Sequence, residues 1–124
     1  VIGRTDLSNS LQINDVNSKK IFNISKDIIN KASSKNIRCT LGGNLSSESF
    51  EFIENLKNFN LFAFETRKTT FKYSQAISKN EFDNLIKLSL EFELAWLNLK
   101  RSMYSIRSNE ENARVYKIKN RLKI

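Results

Sequence analysis

The stretch Val1-Ile2-Gly3-Arg4-Thr5-Asp6-Leu7-Ser8-Asn9-Ser10-Leu11 decides how the chain is read, because two apolar residues run into a glycine and then a lone acid. Val1 and Ile2 have the character of a buried strand end, and Gly3 permits a turn or a close approach of the backbone to a ligand. Asp6, with Ser8 and Ser10, places oxygen atoms at the carboxyl end of that strand. Such donors suit a hard cation, Mg2+ or Mn2+, which makes Asp6 the candidate metal ligand. A strand closed by an Asx or Ser turn accounts for the same residues without any ligand.

Two further strand ends follow. Ile37 to Leu41 is apolar and is stopped by Gly42-Gly43, a pair that serves either as a sharp turn, the plainer use, or as bare amides cradling an anion. Leu61 to Phe64 is the third strand, and Glu65-Thr66-Arg67-Lys68 lies at its carboxyl end. Charges there must face a solvated mouth or one another. Glu65 and Arg67 are placed for a local ion pair, and Arg67 or Lys68 equally for a substrate carboxylate or phosphate.

Helical periodicity separates the strands. After a cap at Asn17 or Ser18, apolar residues recur at Ile21, Ile24, Ile28 and Ala32, with Phe22 and Ile29 widening the stripe. After a cap at Ser46 or Ser47, Phe50, Ile53 and Leu56 form a second buried face flanked by Phe52. The alternation strand, helix, strand, helix, strand predicts βαβ units with parallel strands and right-handed crossovers.

The last third changes character. Ser78-Lys79-Asn80-Glu81 is a capping box, and Ile77 and Phe82 stand at the positions of a hydrophobic staple, so a helix starts here. Its stripe is Phe82, Leu85, Leu88, Phe92, Ala95, Trp96, Leu99, Met103 and Ile106. That is about seven turns, more than one barrel helix needs, and the excess calls for another surface: more of the same fold or a second subunit. Ser105 to Asn112 is polar, and Ala113 to Ile124 reads as a short basic helix or a frayed tail.

With 124 residues the chain is one domain's worth. Lys and Arg total 21 against 13 Asp and Glu, a net charge of +8, but the basic residues are scattered and concentrate only from Arg114 to Lys123. Tyr104 and Tyr116 do not make the regular aromatic series of a stacking platform, so nucleic acid is not the expected partner. The absence of His removes His-based dyads, triads and zinc sites, and the single cysteine, Cys39, excludes an intramolecular disulfide. No run approaches the ~18 apolar residues of a membrane span, and a cytoplasmic location is expected.

Gly3-Arg4-Thr5-Asp6-Leu7-Ser8-Asn9-Ser10-Leu11 resembles the Gly-x-x-Asp-Leu-Ser-x-Ser-Leu signature closing the sixth strand of the HpcH/HpaI aldolase and citrate lyase family. The likeness continues through Leu41-Gly42-Gly43-Asn44-Leu45-Ser46 and Phe64-Glu65-Thr66-Arg67, in the same order, and covers roughly residues 1 to 72. Arg4 departs from the Pro of many aldolase members.

The resemblance implies an α/β fold that is the C-terminal part of a (β/α)8 TIM barrel. About three βα units over residues 1–75 (strands 6 to 8) would be followed by a long C-terminal helical extension over 76–124. It implies a divalent-metal-dependent carbon-carbon lyase or aldolase acting on a 2-oxo acid or acyl-CoA substrate, with Mg2+ or Mn2+ held by Asp6. Gly3, Thr5 and Asp6 would contact the substrate, and Gly42, Gly43 and Arg67 would be anion contacts at the barrel mouth. The other ligands would lie in a missing N-terminal half, without which the chain should be inactive, and homo-oligomers would form through the C-terminal helix. The alternative is a basic nucleic-acid-binding or helical oligomerisation module. That module would bind with strong salt dependence.

Overall fold

The computed structural model describes residues 1–73 and 77–123. It is an α/β structure with one four-stranded mixed sheet, of order β1-β2-β3-β4, and a long C-terminal helix. Strands β1 (Ile2–Gly3), β2 (Cys39–Gly42) and β3 (Leu61–Glu65) are parallel, as the alternating pattern predicts. The sheet is not closed into a barrel.

A fourth strand, β4 (Thr70–Lys72), has no counterpart in the sequence reading and pairs antiparallel with β3. The turn between them carries the reason. Thr66 N–H donates to the Thr69 carbonyl at 2.9 Å, and the two threonine hydroxyls meet at 2.7 Å. Arg67 and Lys68 are therefore the exposed tip of a tight hairpin, and no ion pair joins Arg67 to Glu65 among the described residues.

Helix α1 (Arg4–Ser10) begins immediately after Gly3, where the sequence reading expected a turn. The Ser8 hydroxyl, a candidate ligand oxygen by sequence, instead donates to the Thr5 carbonyl within the helix and is buried. Helix α2 (Lys19–Ser33) is capped by Ser18, whose hydroxyl accepts from Ile21 N–H. Its buried line is Ile21, Ser25 and Ile29, while Ile28 is exposed. The expected stripe is thus rotated toward Ser25, whose small side chain leaves the helix free to approach closely.

Ile37, expected to open the second strand, is 58% exposed and lies before β2. Ser46 and Ser49 make a capping box ahead of α3 (Phe50–Glu54), which buries Phe52 and Ile53. Phe52, expected at the flank, is the more buried of the helix's two phenylalanines.

The chain divides into two compact units, one spanning Val1–Leu90 and the other beginning at Glu91. A domain boundary drawn between 75 and 76 lies outside the described residues. In the first unit Ile2, Leu41 and Phe64 from the sheet share a core with Ile21 and Ile29, Ile53 and Leu56, and Phe82 and Ile86. The Phe64 and Phe82 rings meet at 5.3 Å between centroids, so one face of the sheet is covered by helices.

Helix α4 (Lys79–Leu122) is continuous over 44 residues. The break expected near Ser105 to Asn112 does not occur, because no Gly or Pro interrupts this segment and Arg107 pairs with Glu111 at 3.3 Å one turn on. Phe82 is buried as the stripe predicts, but Leu88, placed on the same stripe, is 60% exposed, and Ile86 and Ser89 are buried in its stead. No helix is long and apolar enough to cross a membrane among the described residues.

The start of α4 follows the sequence. Glu81 Oε2 accepts from the Ser78 N–H and hydroxyl, both at 2.8 Å, and Glu81 N–H donates to Ser78 Oγ at 3.2 Å. The backbone bond from Ser78, then its hydroxyl, hold the Glu81 carboxyl below its ordinary value. A depressed carboxyl contributes helix stability above the ordinary pKa and loses it as pH falls through the lowered folded value. An NMR pH titration of the Glu81 side chain should give a midpoint below the ordinary 4.5, and Ser78→Ala should move it back upward. A midpoint unaffected by that substitution would contradict the capping geometry.

Candidate functional site

The carboxyl ends of β1, β2 and β3 lie at one end of the sheet, and Arg4 ties the first two of them to the helices that follow. It is the first residue of α1, yet its side chain is fully buried. Nε donates to the Gly42 carbonyl at 3.3 Å. Nη2 donates to the Gly43 and Asn44 carbonyls at 2.8 and 3.4 Å and to Ser49 Oγ at 3.2 Å, and Nη1 donates to Asn17 Oδ1. The Phe52 ring lies beneath the guanidinium, 4.9 Å from centroid to Cζ. One planar fork thus joins the loop after β2, the approach to α2 and the start of α3. A lysine, with three rotatable donors at one point, cannot match that spread.

Burial pushes the Arg4 guanidinium down to about 10, with Asp15 acting in the opposite direction, so the group stays charged at neutral pH. Several kcal/mol of desolvation, on the order expected for a buried ion, is offset by neutral oxygens rather than by a carboxylate bonded directly to it.

Gly43 is the second device. With φ +91° it occupies the left-handed region, and a Cβ there would lie 2.5 Å from Thr5 N and 2.6 Å from Arg4 N. The Gly42-Gly43 pair therefore serves as a turn whose second residue packs onto the first amides of α1, including that of Thr5. Asn44, also at positive φ, completes the turn.

The carboxylates lie on the other side of this hub. Gly3 and Gly42 are register partners, and Glu65 is one step beyond the Leu41 and Phe64 pair, which places it beside Gly42. Ile2, Leu41 and Phe64 face the helices, so Gly3, Gly42 and Glu65 fall on the opposite face of the sheet by alternation. A Cβ on Gly3 would come within 3.3 Å of Asp6 Oδ2, and a Cβ on Gly42 within 3.1 Å of Glu65 Cγ and 3.4 Å of its Oε1. Each acid thus folds over a glycine, on adjacent strands spaced about 5 Å apart.

Neither Asp6 nor Glu65 has an ion-pair partner among the described residues. No group of three His, Cys, Asp or Glu side chains that could hold a metal assembles among the described residues either. What the structure shows is Asp6 over Gly3 and Glu65 over Gly42, two glycines that are register partners on adjacent strands. Sequence reasoning picked Asp6 but read Glu65 only as a partner for Arg67; the two-residue step from Ala63 to Glu65 on the glycine-lined face was the signal that could have found it. Arg67 is at the same end of β3, exposed at the hairpin tip.

Arg4→Ala should destabilise the chain by about 3 kcal/mol or more in urea unfolding, since several buried acceptors lose their donor at once. Arg4→Lys should recover part of that loss. Gly43→Ala should be severe because the clash is with backbone, whereas Gly42→Ala should be mild because only the Glu65 side chain must shift. Equal effects at the two glycines would contradict the packing described.

Comparison of the chain with protein-family models, curated proteins and solved structures finds no match.

Proposed function

We propose that this chain forms part of the mouth of a divalent-metal-dependent carbon-carbon lyase or aldolase acting on a 2-oxo acid or acyl-CoA substrate, its strands being the C-terminal units of a (β/α)8 barrel. The observation that carries the reading is the Asp6 and Glu65 pair. These two carboxylates have no cationic partner among the described residues and lie over paired glycines at the carboxyl end of parallel strands. Enzymes on parallel sheets and barrels build their sites at that end.

The donor set fits a hard cation in part. Mg2+ is commonly held through one or two carboxylates, with waters and substrate completing its shell. Two acids and no imidazole or exposed thiolate make a Mg2+- or Mn2+-type set. When bound, such an ion polarises a 2-oxo group and stabilises the enolate released on carbon-carbon cleavage. Asp6 and Glu65 would hold it, and Gly3 and Gly42, lacking side chains, leave the room in which the two acid side chains fold over the sheet. Arg67 would meet a substrate carboxylate or phosphate with charge-assisted hydrogen bonds. Remaining ligands and the base are assigned to residues outside this sequence.

The sheet edges bear on the barrel reading. β1 is the outer strand on one side, a place where further strands can add. On the other side β4 covers β3 in antiparallel sense, so closure there would require β4 to yield to a parallel strand.

Titration of the full chain with Mn2+, followed by electron paramagnetic resonance, tests the site. Saturable binding is expected, weakened at least tenfold by Asp6→Asn and by Glu65→Gln without loss of helical signal. Binding unaffected by either substitution would overturn the assignment.

A further inference from the structure

We propose that residues 92–103 of α4 form an antiparallel pair with the same segment of a second copy of this chain, in one register flanked by Glu93 and Lys100. The proposal stands on this helix alone and is independent of the metal reading. Phe92, Trp96, Leu99, Met103 and Ile106 recur at steps of four and three, the spacing of a coiled-coil seam. All five are exposed, from 43% at Trp96 to 62% at Met103. Leu90, Leu94 and Leu97 lie on other faces of the same turns and are exposed as well. A helix apolar on most of its circumference is a buried helix.

Charge complementarity selects the occupant and its direction. With Phe92, Leu99 and Ile106 at d and Trp96 and Met103 at a, the flanking positions on one side are Glu93, Lys100 and Arg107. Those on the other side are Ala95 and Ser102. In an antiparallel pair a residues stack on d residues of the partner, so Trp96 packs against Leu99 and Phe92 against Met103, each twice by symmetry. The same register sets Glu93 opposite Lys100 and Lys100 opposite Glu93. A parallel pair would set Ala95 against Lys100 and Ser102 against Arg107, with no opposite charges meeting. Glu93 and Lys100 are seven residues apart, too far along the helix to be i,i+3 or i,i+4 neighbours within one chain. Arg107 is already held by Glu111.

Sedimentation equilibrium of the full chain tests this. The wild type should form dimers. Glu93→Lys and Lys100→Glu should each weaken association about tenfold, because each turns two attractive contacts into repulsive ones. The double variant E93K/K100E should return to within about threefold of wild type. All four should keep the same circular dichroism, since both positions sit on the helix surface. A wild type that stays monomeric, single variants that associate as wild type does, or a double variant that is not rescued would each overturn the proposal.

Discussion

The structure depends on a charge placed where water cannot reach it. Arg4 lies inside the wall between the strand ends and the helices, bonded to three consecutive main-chain carbonyls, a serine and an asparagine. A buried cation without a directly bonded carboxylate is tolerable only when its donors are met by well-oriented oxygens. That requirement fixes the path of Gly42 to Asn44, the approach to α2 and the first turn of α3. Few single side chains can impose so much on separate connections, and the fork geometry of arginine is the reason this one can.

The functional geometry follows from the same constraint. Because the carbonyls of residues 42–44 are drawn toward Arg4, the turn brings Gly43 onto α1 and leaves Gly42 in register with Gly3. The two glycines then form a floor without side chains, and the acids of α1 and β3 fold over it. Stability and the geometry of the candidate site share one scaffold here, and Arg4 organises both.

The parallel core was legible because its signals are local and redundant. Ser18 and the Ser78 to Glu81 box each bring a cap, and the apolar runs ending at Gly42 and Glu65 are too short and too β-branched or aromatic to be helices. What escaped depends on contacts distant in sequence. Arg4 reads as a surface charge until residues 38 to 45 positions away are seen to surround it. β4 is three residues of exposed or half-buried chain whose strand character comes from β3. The continuity of α4 was missed because polar composition alone was taken to end a helix, when only Gly, Pro or a competing cap would have done so. Of the candidate site, the place of Asp6 just beyond a strand end is legible in its motif, whereas the place of Glu65 beside Gly42 depends on the register between β2 and β3.

The central claim is that Asp6 and Glu65 share one cation across the Gly3 and Gly42 pair. A crystal structure of the chain grown with Mn2+ tests it most directly, through the anomalous difference density collected near the manganese absorption edge. The account predicts a peak within ligand distance of both carboxylates, about 2.1 to 2.4 Å as for hard cations of this class, on the face of the sheet turned away from the helices. A peak elsewhere, or carboxylates that bind no manganese at saturating concentration, would contradict it.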